Sequence, residues 1–228
     1  MAVLIYEMPH SPYCIPITRA LEALGVPFTR VDVPNHDRRQ VIEASGGTYY
    51  QVPLLVHDGR PVTESSGTSL EIARYVDRTW GAGRLFPEAW AGLHETVVEF
   101  IEDRVEGLSF KLVDPAYIAA LEDPVARAMT IRHKERKFGR GCVDEWARNA
   151  PALRAELEEL LGRFDARLKH ADYLFGEAPI FADFALWGII GNYTYRGINT
   201  LPEQLSALAR WAGRIQTFRY HPERDLKA

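Results

Sequence analysis

The pattern of apolar and polar positions divides this chain into a short mixed region followed by a long helical one. Residues 3–6 (Val-Leu-Ile-Tyr) are a continuous apolar run of strand length. Ile17, Leu21 and Leu24 then recur at helical spacing until Gly25 and Pro27, which end a helix. Residues 28–33 read as a second strand, and the order strand, helix, strand implies a right-handed crossover and a parallel pair. Residues 53–56 and 60–63 flank His57-Asp58-Gly59, and Asp-Gly between apolar runs signals a hairpin. A helix follows, with Leu70, Ile72, Ala73 and Val76 as its apolar side.

The periodicity breaks at Trp80-Gly81-Ala82-Gly83-Arg84-Leu85-Phe86-Pro87, which reads as a linker. Beyond it only helical patterns occur, over 93–112, 125–146, 153–168, 181–195 and 205–218. The expected organisation is a small α/β domain over 1–79, a linker over 80–90 and an all-helical domain over 91–228.

Composition narrows the function classes. The 228 residues are 46% hydrophobic, enough for a well-buried core. With 27 basic against 31 acidic residues the net charge is -4, which argues against nucleic acid as the main partner. Arg127, Arg132, Lys134, Arg136, Lys137 and Arg140 make one segment locally basic, either as a solvated helix face or as an anion or membrane-surface contact. The apolar run 181–191 contains Asp183 and is shorter than the ~20 residues of a membrane span. No basic leader precedes the first strand, and the two cysteines, Cys14 and Cys142, form no CxxC pair. These features predict a soluble, cytoplasmic protein. The seven histidines have no paired ligand spacing, so no metal site is expected.

The stretch with the most chemistry is Ser11-Pro12-Tyr13-Cys14, between the first strand and the first helix. A helix N-terminus presents free N–H groups and favours an anion, of which a thiolate is one. Ser before Pro is also a routine N-cap with proline at the first helical position. Both readings stand on the turn alone. Pro16 should delay or kink the helix start, and Tyr6 reads as an aromatic facing the core.

Taken together, the chain resembles the cytosolic glutathione transferases over essentially its whole length. Ser11-Pro12-Tyr13-Cys14 is similar to that family's serine-type active-site turn, Gln51-Val52-Pro53 to its cis Val-Pro, and Glu64-Ser65 to its acidic residue and serine. The resemblance implies a thioredoxin-like N-terminal domain followed by a helical-bundle C-terminal domain. It implies Ser11 as the catalytic donor to the glutathione sulfur, and Gln51, Val52, Pro53, Glu64 and Ser65 as the glutathione-binding residues. An alternative register puts Thr68-Ser69 in the last role, and Tyr6 is an alternative hydroxyl. The expected activity is conjugation of glutathione, the co-substrate, to a small apolar electrophile, in a homodimer serving detoxification. Tyr117, Phe110, Trp146, Trp187 and Tyr195 are candidates for the electrophile pocket, or simply core.

Ionising the glutathione thiol about two units below its reference pKa of roughly 8.5 requires about 2.7 kcal/mol. One hydrogen bond to a charged acceptor supplies about 1.5 to 3 kcal/mol, and a helix end up to about 2. Two other readings compete. One is a non-catalytic carrier of the same fold. The other is a glutathione-dependent thiol reductase using Cys14, because the turn is one substitution from the Cys-Pro-Tyr-Cys of glutaredoxins. In the helical domain, 178–184 resembles the family's helix-capping segment, but Ile180 stands where a Ser or Thr is usual, so the side-chain half of a capping box is missing.

Overall fold

The structure is a computed structural model and describes residues 2–65 and 70–221. The N-terminal part runs β1 (Val3–Glu7), α1 (Cys14–Ala23), β2 (Thr29–Asp32), α2 (Arg39–Ala44), β3 (Leu54–His57), β4 (Arg60–Val62) and α3 (Glu71–Val76). Sheet order is β2-β1-β3-β4, with β1 parallel to β2 and antiparallel to β3. The Asp58-Gly59 turn closes the β3–β4 hairpin with both residues at positive φ, 47° and 78°, as a two-residue turn matched to strand twist requires. This is the expected thioredoxin-like arrangement.

Alternation along β1 explains the layering. Val3 and Ile5 are buried among Ile17 and Leu21 of α1 and Ile72 and Val76 of α3. Leu4 and Tyr6 face the other way, half-buried against Val33, Val41, Tyr49, Leu54 and Val56 beneath α2. Tyr6 is thus a packing aromatic.

The rest is helical: α4 (Leu93–Phe100), α5 (Gly107–Ala119), α6 (Pro124–Phe138), α7 (Cys142–Leu168), α8 (Phe181–Tyr193) and α9 (Ser206–Thr217). Two boundaries differ from expectation. The pattern over 93–112 continues to Ala119 and contains a π turn, Ile101–Glu106. The pattern over 125–146 is two helices, because Gly139 and Gly141 adopt positive φ, 97° and 76°, and α7 starts at Cys142 rather than near 153. Apolar spacing runs through the break because Phe110, Phe138, Cys142 and Trp146 pack together across it.

Helix α8 is the axis of the helical domain. Its start lacks a side-chain acceptor at Ile180, and other groups serve instead: Asp183 accepts the Ile180 N–H at 3.1 Å, and His94 Nε2 accepts the Ala182 N–H at 2.9 Å. Asp183 also holds the Leu174 N–H and the Trp211 indole N–H, each at 2.9 Å, tying α7's exit and α9 to α8. Burial pushes the Asp183 carboxyl up to about 6 against these three donors. Among the described residues no helix is long and apolar enough to cross a membrane.

Candidate active site

The Ser11 turn is built as a cap and held from outside. Ser11 is 4% exposed. Its carbonyl accepts the Ile15 N–H at 3.1 Å, the first backbone bond of the helix, and Pro12 follows at the first helical position. Its hydroxyl oxygen accepts the Tyr13 and Cys14 N–H groups, each at 3.3 Å. The capping reading of Ser11 therefore holds, and the hydroxyl also faces the Cys14 thiol, whose ionisation it favours. A hydroxyl accepting two N–H bonds is polarised and is the stronger donor for it. Capping and donation to a sulfur are thus compatible.

Pro16 delays the regular helix, as its missing N–H predicts: α1 begins at Cys14, two residues after Pro12. Having no N–H, Pro16 leaves the Pro12 carbonyl without its usual helical donor, and α8 covers the place with a glycine. A Cβ added at Gly188 would meet the Pro12 carbonyl oxygen and lie 2.6 Å from the Pro16 ring. One turn along, Asn192 donates from Nδ2 to the His10 carbonyl at 2.6 Å. Helix α8 thus pins both flanks of the turn, a constraint between distant segments that local pattern did not reveal.

Beside the turn lies a cleft of about 570 Å³ between the two parts of the chain. Gln51, Val52, Glu64 and Ser65 line it together with Tyr13. Pro53 is buried behind Val52, and the Val52-Pro53 bond is cis. The Val52 main chain makes no hydrogen bond among the described residues, so an unused N–H and C=O border the cleft. Ser65 is exposed and accepts a hydrogen bond from the Thr63 hydroxyl at 3.2 Å. Thr68 and Ser69, the alternative register, lie outside the described residues. The opposite wall, from the helical domain, carries Glu99, Glu102 and Lys137.

The cleft is acidic. Burial, then the charges of Glu102 and Glu71, push the Glu64 carboxyl up to about 8. Glu106, at the end of the π turn, is pushed up to about 7 by burial, with Lys134 and Lys137 pulling the other way. Tyr13 is raised by burial and by Glu106, Glu102, Asp103 and Glu64, so its phenol keeps its proton and remains a donor. Sequence reading passed over Tyr13, Glu99 and Glu102; their signal lies only in the meeting of the π turn with the Ser11 turn.

Other candidates fall elsewhere. Phe110 and Trp146 are buried against each other, 5.2 Å between ring centroids. Trp187 packs on the main core. Tyr117 and Tyr195 flank the ring of His10, just before Ser11. Cys14 is fully buried, and burial pushes its thiol up to about 12, the Ser11 hydroxyl opposing this. A protonated, inaccessible thiol is a poor attacking group for disulfide exchange. Of the basic segment, Lys134 pairs with Asp114 at 2.5 Å and Lys137 reaches the cleft, while Arg127, Arg132, Arg136 and Arg140 are exposed. Among the described residues no group of His, Cys, Asp and Glu is arranged to hold a metal ion.

Solved structures with this fold include glutathione transferase GSTFuA3 from Phanerochaete chrysosporium, with a TM-score of 0.78, 18% identity and coverage of 97% of this chain and 98% of that one. A glutathione S-transferase of Ceriporiopsis subvermispora in complex with glutathione gives 0.77 at 16% identity, over 98% and 100%. Glutaredoxin 2 of Salmonella typhimurium in complex with glutathione gives 0.70 at 22% identity, over 95% of each chain. A search of curated proteins finds no match. Two family models match: "Glutathione S-transferase, N-terminal domain" over residues 5–82 and "Glutathione S-transferase, C-terminal domain" over residues 125–214. With both domains matched in order on this fold, the chain belongs to the glutathione transferase superfamily.

Proposed function

We propose that this protein is a glutathione transferase that binds reduced glutathione in the cleft beside the Ser11 turn, ionises its thiol and transfers the sulfur to a small apolar electrophile. The observation that carries the reading is that Gln51, Val52, Glu64 and Ser65, drawn from separate stretches, line one cleft with Tyr13 of the turn. The unused Val52 main-chain groups suit the cysteinyl part of the peptide. Glu64 faces the γ-glutamyl ammonium, Ser65 its carboxylate, and Lys137 or Gln51 the glycine carboxylate. Solved neighbours carrying glutathione on the same fold support the same ligand.

Ser11 turns its hydroxyl proton to the bound sulfur, which is held as thiolate while the thiol proton leaves to solvent. The thiolate then attacks the electrophilic carbon, forming a carbon–sulfur bond as the leaving group departs with its electron pair. Tyr13 supports a second reading of the donor, since its phenol is protonated and lines the cleft directly. The thiol reductase reading is weaker, because Cys14 is buried and protonated. The proposed organisation keeps the first domain at 1–79, the linker at 80–90 and the helical domain at 91–228, in a cytoplasmic homodimer with each first domain packed on its partner's helical domain. Titration calorimetry with glutathione, followed by conjugation assays on Ser11→Ala and Tyr13→Phe, tests the reading. Loss of conjugation only in Ser11→Ala supports Ser11 as donor, loss only in Tyr13→Phe transfers the role, and absence of glutathione binding ends the proposal.

A further inference from the structure

At the His10 end of the turn, five residues distant in sequence converge: His10, Arg38, Tyr117, Lys134 and Arg196. The His10 ring lies 4.4 Å from the Tyr117 ring and 5.4 Å from the Tyr195 ring, centroid to centroid. The Arg196 guanidinium sits 5.2 Å above the Tyr195 ring. Arg38 reaches over the loop that carries Ser11, donating from Nη2 to Met8 Sδ at 3.5 Å and Asn35 Oδ1 at 3.2 Å. Both guanidiniums and the Lys134 ammonium act electrostatically on His10, and both guanidiniums act on the Tyr117 hydroxyl.

The charges here are unbalanced. Asp114 is the carboxylate acting on Tyr117, and it is committed to Lys134. Arg38 and Arg196 have no carboxylate partner among the described residues, and Arg38 Nη1 is buried with no hydrogen-bond partner at all. A buried guanidinium N–H without an acceptor costs free energy that an anion would recover. Burial with the surrounding cations holds the His10 ring neutral, depressed to about 4, so it serves as an aromatic wall.

We propose that this basic, aromatic-walled face is the second-substrate site, and that it selects planar aromatic electrophiles carrying a carboxylate or another fixed negative charge. The aromatic ring stacks on the outer face of the His10, Tyr117 and Tyr195 cluster, and the anionic group is taken by Arg38 or Arg196. This rests on the transferase reading and narrows the substrate from apolar electrophiles in general to anionic aromatic ones.

The test compares para-chloro-meta-nitrobenzoate with its methyl ester, which share the reacting carbon and differ in charge. Equilibrium dialysis without glutathione measures binding, and conjugation with glutathione measures kcat/KM, each normalised to the uncatalysed reaction. The acid is expected to bind about tenfold more tightly than the ester, the preference shrinking as salt is raised. Arg38→Gln and Arg196→Gln, each checked for native circular dichroism, should remove most of that preference, weakening acid binding far more than ester binding. Because Arg38 touches the Ser11 loop, Arg196→Gln carries the test if Arg38→Gln misfolds. Equal binding of acid and ester, or an acid preference that survives both substitutions, overturns the proposal. Acid-selective binding that the substitutions abolish, without conjugation of either compound, keeps an anionic-aromatic site here but removes its role as second-substrate site; conjugation without acid preference keeps the transferase reading and overturns the inference.

Discussion

The surroundings of Tyr13 and those of His10, at the two ends of one short turn, carry opposite charge. Toward the cleft stand Glu64, Glu99 and Glu102, with Glu106 at the end of the π turn, and Lys137 as their counterweight. Around His10 stand Arg38, Lys134 and Arg196 with the rings of Tyr117 and Tyr195; Lys134 is paired with Asp114 and also acts on Glu106, joining the two neighbourhoods. Burial raises carboxylates on the first side and depresses the histidine on the second, so both faces hold charge at a cost in the free protein. On the proposed reading, an ammonium-bearing peptide would relieve the first cost and an anionic ring the second. In the proposed function the turn, pinned by α8, is where the glutathione sulfur would meet the electrophilic carbon.

The largest test of this division removes its centre. Ser11→Ala should cut the conjugation rate by about 10² to 10³, the usual cost of one donor to a developing or fixed anion, and cost about 1 kcal/mol of stability as a lost cap. A small rate effect with the same stability loss would leave Ser11 as a cap alone. Next, Gly188→Ala drives a methyl group into the Pro12 carbonyl and the Pro16 ring. It should destabilise the fold by about 1 to 3 kcal/mol and slow conjugation at least about tenfold, although residue 188 touches neither ligand. Stability and rate unchanged from wild type would mean that the turn is not held from α8.

Glu64 probes the acidic side. Its carboxyl, raised to about 8, is mostly protonated at neutral pH in the free protein, and the ligand ammonium favours the carboxylate. Binding should therefore release a proton, and affinity for glutathione should fall by up to about tenfold per pH unit below pH 8. Glu64→Gln should weaken binding about tenfold at pH 8 and flatten that dependence; calorimetry in buffers of different ionisation enthalpy reads both. The smallest effect concerns the ligand-free fold. A carboxyl raised on folding contributes stability that is full below its unfolded value of 4.5 and is lost as pH rises through 8. The difference in melting temperature between Glu64→Gln and wild type should therefore grow in the variant's favour from pH 5 to pH 8. A constant difference would show that the cleft does not strain this group.

Much of the fold was legible because its signals are local. An apolar run, a helix-period stripe and Asp-Gly between strands each state their own element, and β1, α1 and the β3–β4 hairpin follow. The break at Gly139–Gly141 was not legible, since Phe138, Cys142 and Trp146 keep their apolar spacing across it to fill one cluster. The missing acceptor at Ile180 was legible; its replacement by His94, 86 positions earlier, was not. The candidate site divides in the same way. Gln51, Val52 and Pro53 form one short motif, as do Glu64 and Ser65, whereas the basic face needs residues 10, 38, 117, 134 and 196 brought together by folding. Tyr13 was in view from the start and drew no attention, because only the π turn opposite makes it part of a cleft wall.

The central claim is that the sulfur of bound glutathione rests over the Ser11 turn as a thiolate. Ultraviolet difference absorbance of the thiolate, titrated against pH at saturating glutathione, measures this in wild type and in Ser11→Ala. The account predicts an apparent pKa about two units below the roughly 8.5 of the free thiol in wild type, and a return toward the free value in Ser11→Ala. A bound thiol that titrates like free glutathione in wild type would contradict it.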